Sequence, residues 1–261
     1  MTSSISPLPP PQNTSSITRP GSVTYYIPNT TTSIPLETTI HLPSSSPWAS
    51  GLHWHNNSTE YLHLLQGSIF VTLGTTTKIY HAAKPGEDEV VLRVDRGVRH
   101  NWGRAEVYLL QHGNDEEGEV NKEEEVVVEE WTDPCGISKP LFFWNLNGVL
   151  TKPDSPDSTP KKMLGWMLGA YWIPVQLFVI FWQLDNWPVF LSLEGRSSGY
   201  CNRRMGMWLE HAVEYVVTFG VLFMASRVGK VFGVEAVSEE RTPRSLWEAW
   251  TREKDGRRKS D

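Results

Sequence analysis

The sequence predicts a mainly β protein, an antiparallel barrel of jelly-roll type followed by a C-terminal hydrophobic helical extension. Three observations predict it. Between residues 21 and 114, short runs of β-branched and aromatic residues are broken by turn signals about every ten residues, as in a sandwich or barrel. Within that region, His53, His55, Glu60 and His100 are spaced so that strands can bring them to one inward face. Past residue 162 the composition changes to a tryptophan-rich stretch without charge, Met163 to Leu184.

Residues 1–20 combine Ser, Thr and Pro and lack the basic start and apolar run of a secretory signal, so they are expected to be disordered. Val23 to Leu42 alternates loosely, with prolines suited to edge strands, and opens the barrel. Leu52 to His55 is the first ligand strand. Glu60 to Leu65 and Ser68 to Leu73 are expected to pair as a hairpin about Gln66-Gly67. Thr75 to His81 follows a turn at Gly74, and residues 84–88 form a loop before a strand at Val90 to Val94. Strands at Arg99 to Trp102 and Glu106 to His112 complete the set, giving a barrel over 21–114.

Residues 115–162 read as connector and linker. The acidic run at 115–130 is a solvated face with a short strand at Val126 to Val128, 131–150 is apolar enough to pack on the barrel's outside, and 151–162 is rich in Pro, Ser and Asp. The region 163–236 is expected to be helical. Met163 to Leu184 could cross a ~30 Å hydrocarbon core at ~1.5 Å per residue, and Trp166, Trp172, Trp182 and Trp187 suit interfacial belts. Length favours a membrane helix there over a helix buried against a partner. The second apolar stretch, Met205 to Val234, is weaker because Glu210, His211 and Glu214 interrupt it; it reads as a crossing or as a helix lying on the surface. If both cross, the barrel and the charged tail, 237–261, share the cytosolic side of the membrane. Within that tail, Thr242-Pro243 starts a short helix striped with Leu246, Trp247 and Trp250.

A net charge of −6 argues against nucleic acid as a partner. The two cysteines, Cys135 and Cys201, fall in different segments, which fits a reducing compartment rather than a disulfide framework. A second copy of the chain is a candidate partner that the sequence neither requires nor excludes.

The site follows from parity. His53 and His55 leave one strand face, Glu60 returns after the polar turn at 56–59, and His100 enters its strand after Gly97. Three imidazoles and a carboxylate inside an apolar barrel would be unpaired polar groups unless a cation joins them. The donor set suits a first-row divalent metal, Fe or Mn foremost, with Zn, Ni and Cu also compatible. Trp102 shares the parity of His100 and is expected to line the pocket. His63 has the opposite parity to Glu60 and is expected to point outward. His41 and His112 read as surface or rim residues. Tyr108 is a candidate acid or base, and no catalytic side chain is identified by sequence alone.

The stretch GLHWHNNSTEYLHLLQG, Gly51 to Gly67, resembles motif 1 of the cupin superfamily, and Asp95 to His100 resembles motif 2. Residues 35–113 carry the likeness. The sequence departs from the pattern at Pro47, where a glycine is usual, at Asp95, where proline is usual, and at Arg104, in place of asparagine. The resemblance implies a cupin barrel holding a metal through His53, His55, Glu60 and His100. With its Ser/Thr/Pro N-terminus and Trp-rich extension, the chain is also similar to fungal cupin-domain oxidoreductases of salicylaldehyde-type polyketide clusters, such as the virensol/trichoxide and sordarial pathways. That similarity implies a lipophilic, phenolic small-molecule substrate and gives a membrane anchor a purpose. A metal-dependent isomerase, cyclase or dehydratase, or a non-catalytic membrane-tethered binding module, would use the same residues.

Overall fold

A computed structural model of the protein describes residues 11–32, 35–113, 121–151, 165, 168–192 and 203–260. Two antiparallel sheets enclose the core. One has the spatial order β1 (Thr14–Arg19), β2 (Val23–Pro28), β3 (Thr38–Leu42), β10 (Val126–Asp133), β5 (Thr59–Gln66) and β8 (Val90–Val94). The other runs β11 (Trp187–Pro188), β4 (His53–Trp54), β9 (His100–Arg104), β6 (Ser68–Leu73) and β7 (Thr76–His81). The helices are α1 (Ala105–His112), α2 (Ser138–Thr151), α3 (Trp172–Gln183), α4 (Arg203–Phe232) and α5 (Arg244–Ser260).

Alternation along the strands sets the interior. Val23, Tyr25 and Ile27 of β2 face inward, as do Glu60, Leu62 and Leu64 of β5. The fully buried Trp102 meets them from the opposite sheet. Tyr61 and His63 point outward from β5, where Tyr61 stacks on Trp131 with 5.4 Å between ring centroids.

The fold differs from the sequence expectation at five places. Thr14–Arg19 lies in the stretch expected to be disordered, yet it pairs with β2 along its full length through a turn in which Gly21 has φ 69°. Threonine-rich chain suits such an edge strand; residues 1–10 lie outside the described residues. Gln66-Gly67 is not a hairpin turn, because β5 and β6 belong to different sheets. Gly67, at φ 81°, is the corner between them, and a Cβ there would lie 2.6 Å from the Glu125 carbonyl oxygen. Glu106 to His112 is helix, not strand. Its residues, AEVYLLQH, include strong helix formers, and Gly113 closes the end in the left-handed conformation at φ 68°.

The fourth difference moves the boundary of the barrel. The eight-residue β10 arises from the expected connector and runs between β3 and β5 in the middle of its sheet. The sheet therefore extends past residue 114. The fifth concerns the expected first membrane helix. Leu168 leads into a 3-10 turn at Gly169–Tyr171 and then into α3, twelve residues long or about 18 Å, too short for a ~30 Å core. Met163, Leu164, Trp166 and Met167 lie outside the described residues. Trp172, Gln176, Val179 and Ile180 of α3 are buried, and the helix packs against α2 and α4. The charged tail is also docked: Leu246 of α5 is fully buried, and Trp247 and Trp250 pack against the same core.

Candidate metal centre

Both sheets contribute to the cluster. His53 on β4 stands directly opposite His100 on β9, and their ring centroids are 4.1 Å apart. His55 follows at the end of β4, and Glu60 enters from β5 in the facing sheet. One ligand atom from each of the four lies within 4.8 Å of the others, and all four side chains are buried.

Hydrogen bonding fixes the tautomers. Each Nδ1 donates to a backbone carbonyl: His53 to Gly51 at 2.7 Å, His100 to Val98 at 3.0 Å, and His55 to Asp185. A carbonyl only accepts, so each Nδ1 carries a proton, and in the neutral ring each Nε2 then presents a bare lone pair. The Nε2 atoms of His55 and His100 and Oε2 of Glu60 are buried without a hydrogen-bond partner. His100 Nε2 nevertheless sits 2.7 Å from Glu60 Oε2, and His55 Nε2 sits 3.4 Å from Glu60 Oε1. Acceptors facing acceptors at this range require a proton or a cation between them.

Burial opposes the proton at His53, holding its imidazole well below its usual pKa, and the neighbouring His100 and His55 add to that effect. Burial also pushes Glu60 up, but Lys139, with His55 and His100, outweighs it and holds the carboxyl well below the usual range. Neutral imidazoles and an ionised carboxylate are the forms a divalent metal binds, so the residues fit one.

Residues outside the two motifs also build the site. Lys139, in the first turn of α2, is buried and pairs with Glu60 and, at 3.1 Å, with Glu130 on β10. Burial alone would lower the Lys139 pKa; Glu130 and Glu60 outweigh it and raise it. Glu130 Oε1 accepts from Trp102 Nε1 at 2.7 Å. Burial raises the Glu130 carboxyl, Lys139 opposes that, and the Glu60 charge adds to it. Asp185, between α3 and β11, supplies the carbonyl that fixes His55. Its carboxylate accepts from the backbone N–H groups of Asn56 and Asn57, from Asn57 Nδ2 and from Ser58 Oγ. The turn beside the candidate ligands is therefore held by the C-terminal extension. On the other side, Arg99, next to His100, pairs with Glu214 of α4 at 2.6 Å.

The remaining expectations resolve as follows. Trp102 faces inward, but it packs in the core, 4.9 Å from Trp48, and braces Glu130 rather than lining the opening. His63 points outward between Glu89 and Glu129. His41 sits against Tyr26, and His112 stacks on Tyr108. Tyr108 is itself on α1, stacked between Phe70 and His112, so the strand expected to carry it as acid or base is a helix. Cys135 is exposed with a free thiol; Cys201 lies outside the described residues.

No family model matches the chain, and no curated protein matches it. Solved structures do. The capsular polysaccharide assembling protein CapF of Staphylococcus aureus aligns at 13% identity and TM-score 0.32 over 46% of this chain and 28% of that one. A predicted oxalate decarboxylase of Thermotoga maritima aligns at 16% identity and TM-score 0.30 over 41% and 76%. The Cnp3 cupin domain of Schizosaccharomyces pombe aligns at 15% identity and TM-score 0.26 over 48% and 68%. The chain thus spans less than a third of CapF, and its likeness to cupin-domain proteins is distant. To the two antiparallel sheets the C-terminal helices are added.

Proposed function

We propose that this protein is a metal-dependent cupin enzyme whose ion is held by His53, His55, His100 and Glu60. One observation carries the reading: three imidazoles and a carboxylate converge in one buried space, where Nε2 of His55, Nε2 of His100 and Oε2 of Glu60 have no hydrogen-bond partner. A divalent ion there supplies Lewis acidity toward a chelating oxygen substrate and, as Fe or Mn, redox chemistry. The chain's own residues do the rest. Gly51, Val98 and Asp185 orient the imidazoles through their carbonyls, Lys139 keeps Glu60 ionised, and the apolar barrel behind Trp102 excludes water from the inner side. Elemental analysis of the purified full chain tests the proposal: roughly one divalent ion per chain is expected. Purification without metal, together with no uptake on titration with Fe, Mn or Zn, would overturn it.

The finer reading is an oxidoreductase acting on a phenolic, polyketide-derived intermediate, and it rests on the resemblance carried by the two motifs together with the Ser/Thr/Pro-rich N-terminus and the Trp-rich extension. Anaerobic assay of the iron-loaded protein separates it from the isomerase, cyclase or dehydratase alternative. Turnover without O2 or any redox partner would remove the oxygen-dependent version.

We also propose membrane association through α4, lying on the bilayer rather than crossing it. Leu209–Phe232 is long and apolar enough to cross by length and composition. Its inner side, however, is committed to the barrel through the buried Glu214, Thr218 and Leu222. The outer side exposes Leu209, Val213, Val216, Met224 and Val231 at helical spacing. Flotation with phospholipid vesicles checks this. The wild type should float, and a Val216→Glu, Met224→Glu variant should not.

A further inference from the structure

A separate cavity lies on the outer side of the sheet that carries His53 and His100. Trp54 alternates with His53 and His55, so its indole leaves the opposite face and meets α4, with 6.2 Å between its ring centroid and that of Tyr215. Trp187 of β11 stacks on the same tyrosine at 5.9 Å. With Leu222, the two tryptophans form an apolar cluster distinct from the barrel core. Beside them is a space of about 420 Å3, and none of the four candidate metal ligands lines it. We propose that this cavity binds one long-chain lipophile, an alkyl chain ending in an oxygen group.

Size and lining set the class. Cavities of this volume hold small molecules, and mostly apolar walls with few polar groups select lipophilic ones. Trp54, Ala212, Tyr215 and Val216 supply the apolar wall. Its charged members offer a polar ligand little, because the buried Arg99 guanidinium and Glu214 carboxylate lie 2.6 Å apart and neutralise each other. The exposed His211 and half-buried Asn56 add hydrogen-bonding groups for a terminal oxygen. The wall is also held in place. Trp54 Nε1 donates to Asn56 Oδ1 at 3.1 Å, and Thr218 Oγ1 of α4 donates to the Pro188 carbonyl at 3.1 Å, so binding orders little of it. The opening indicates the source. Val216 is 67% exposed and Tyr215 46%, and Val216 belongs to the apolar outer side of α4. A molecule dissolved in a bilayer reaches the cavity there, a route that rests on α4 lying on the membrane.

The test titrates the full chain with hexan-1-ol, octan-1-ol and decan-1-ol by calorimetry, without lipid or detergent. Binding should saturate at one molecule per chain and tighten about fourfold for each methylene added. Binding that does not saturate, or that is indifferent to chain length, would overturn the proposal. Ala212→Phe places a ring in the cavity from a half-buried helix position. It should weaken decan-1-ol binding by about tenfold or more, the loss of at least two methylene contacts, with the thermal transition of the wild type retained. A folded variant that binds as the wild type does would overturn this cavity as the site. If Ala212→Phe does not fold, Val216→Arg, at a more exposed position of the same wall, should weaken binding likewise. Vesicle flotation without decan-1-ol binding would overturn this inference alone, and decan-1-ol binding without flotation would overturn the membrane reading alone.

Discussion

His100 holds its place by three independent constraints: register opposite His53, a hydrogen bond to the Val98 carbonyl, and an Nε2 aimed at Glu60. His100→Ala should therefore weaken metal binding by more than about a hundredfold, since loss of an outer hydrogen-bond partner alone costs 10–100-fold. Competition with a chromogenic chelator measures this; a change under tenfold would mean His100 is not a ligand. Gly67 is limiting for a different reason. Its φ of 81° and the 2.6 Å approach of a Cβ to the Glu125 carbonyl oxygen leave no room for a side chain. Gly67→Val should cost about 2–4 kcal/mol in chemical denaturation, with metal ligands untouched. The four candidate ligands were legible in the sequence because strand parity and short spacing act locally. Lys139 and Asp185 were not, since they meet Glu60 and His55 across 79 and 130 residues of chain. No local pattern encodes such a contact.

Elements were legible where a single periodicity applied and were misread where context decided. The inward parity of β5 placed Glu60 and turned His63 outward. The same reading paired β5 with β6, because a glycine between two strands looks alike whether the chain turns back or crosses to another sheet. Likewise, VVVEEWTD sits in an acidic run that suggested a solvated connector, yet β10 is paired on both sides and buries Glu130 against Lys139. The short link between α3 and β11 deserves an experiment at this scale, because it ties the helical extension to the ligand turn. Asp185→Ala removes four hydrogen bonds to residues 56–58 and strains a position with φ 56°. Metal affinity should fall about tenfold. Asp185→Asn, which tolerates the left-handed conformation and keeps one acceptor, should fall less. Equal loss in both variants would assign the effect to the charge; no loss in either would show that the turn holds His55 without help.

At the scale of the whole molecule, the sequence reads as a barrel closed within 21–114 and an extension added to it. Packing argues otherwise. Trp172, Val179, Ile180, Leu184, Val234 and Leu246 belong to the same buried cluster as Tyr25, Ile40, Leu62 and Trp102. Asn145 of α2 donates to Thr242, and the Ser238 backbone N–H donates to Asn145, so the chain near α5 is hydrogen-bonded into α2. A chain ending at residue 162 would lose β11 from its sheet, the Asp185 carbonyl from His55 and the apolar cover of α2 together. Each fully buried Leu, Ile or Val removed from the core forfeits about 1.5–3 kcal/mol of burial, and several are lost at once against a typical total stability of about 5–15 kcal/mol. The fragment should accordingly aggregate or elute as a broad soluble oligomer, without a cooperative thermal transition by circular dichroism and without bound metal. A monomeric, metal-loaded fragment that melts cooperatively would mean that the barrel carries its own core and that the helices serve only to cover it.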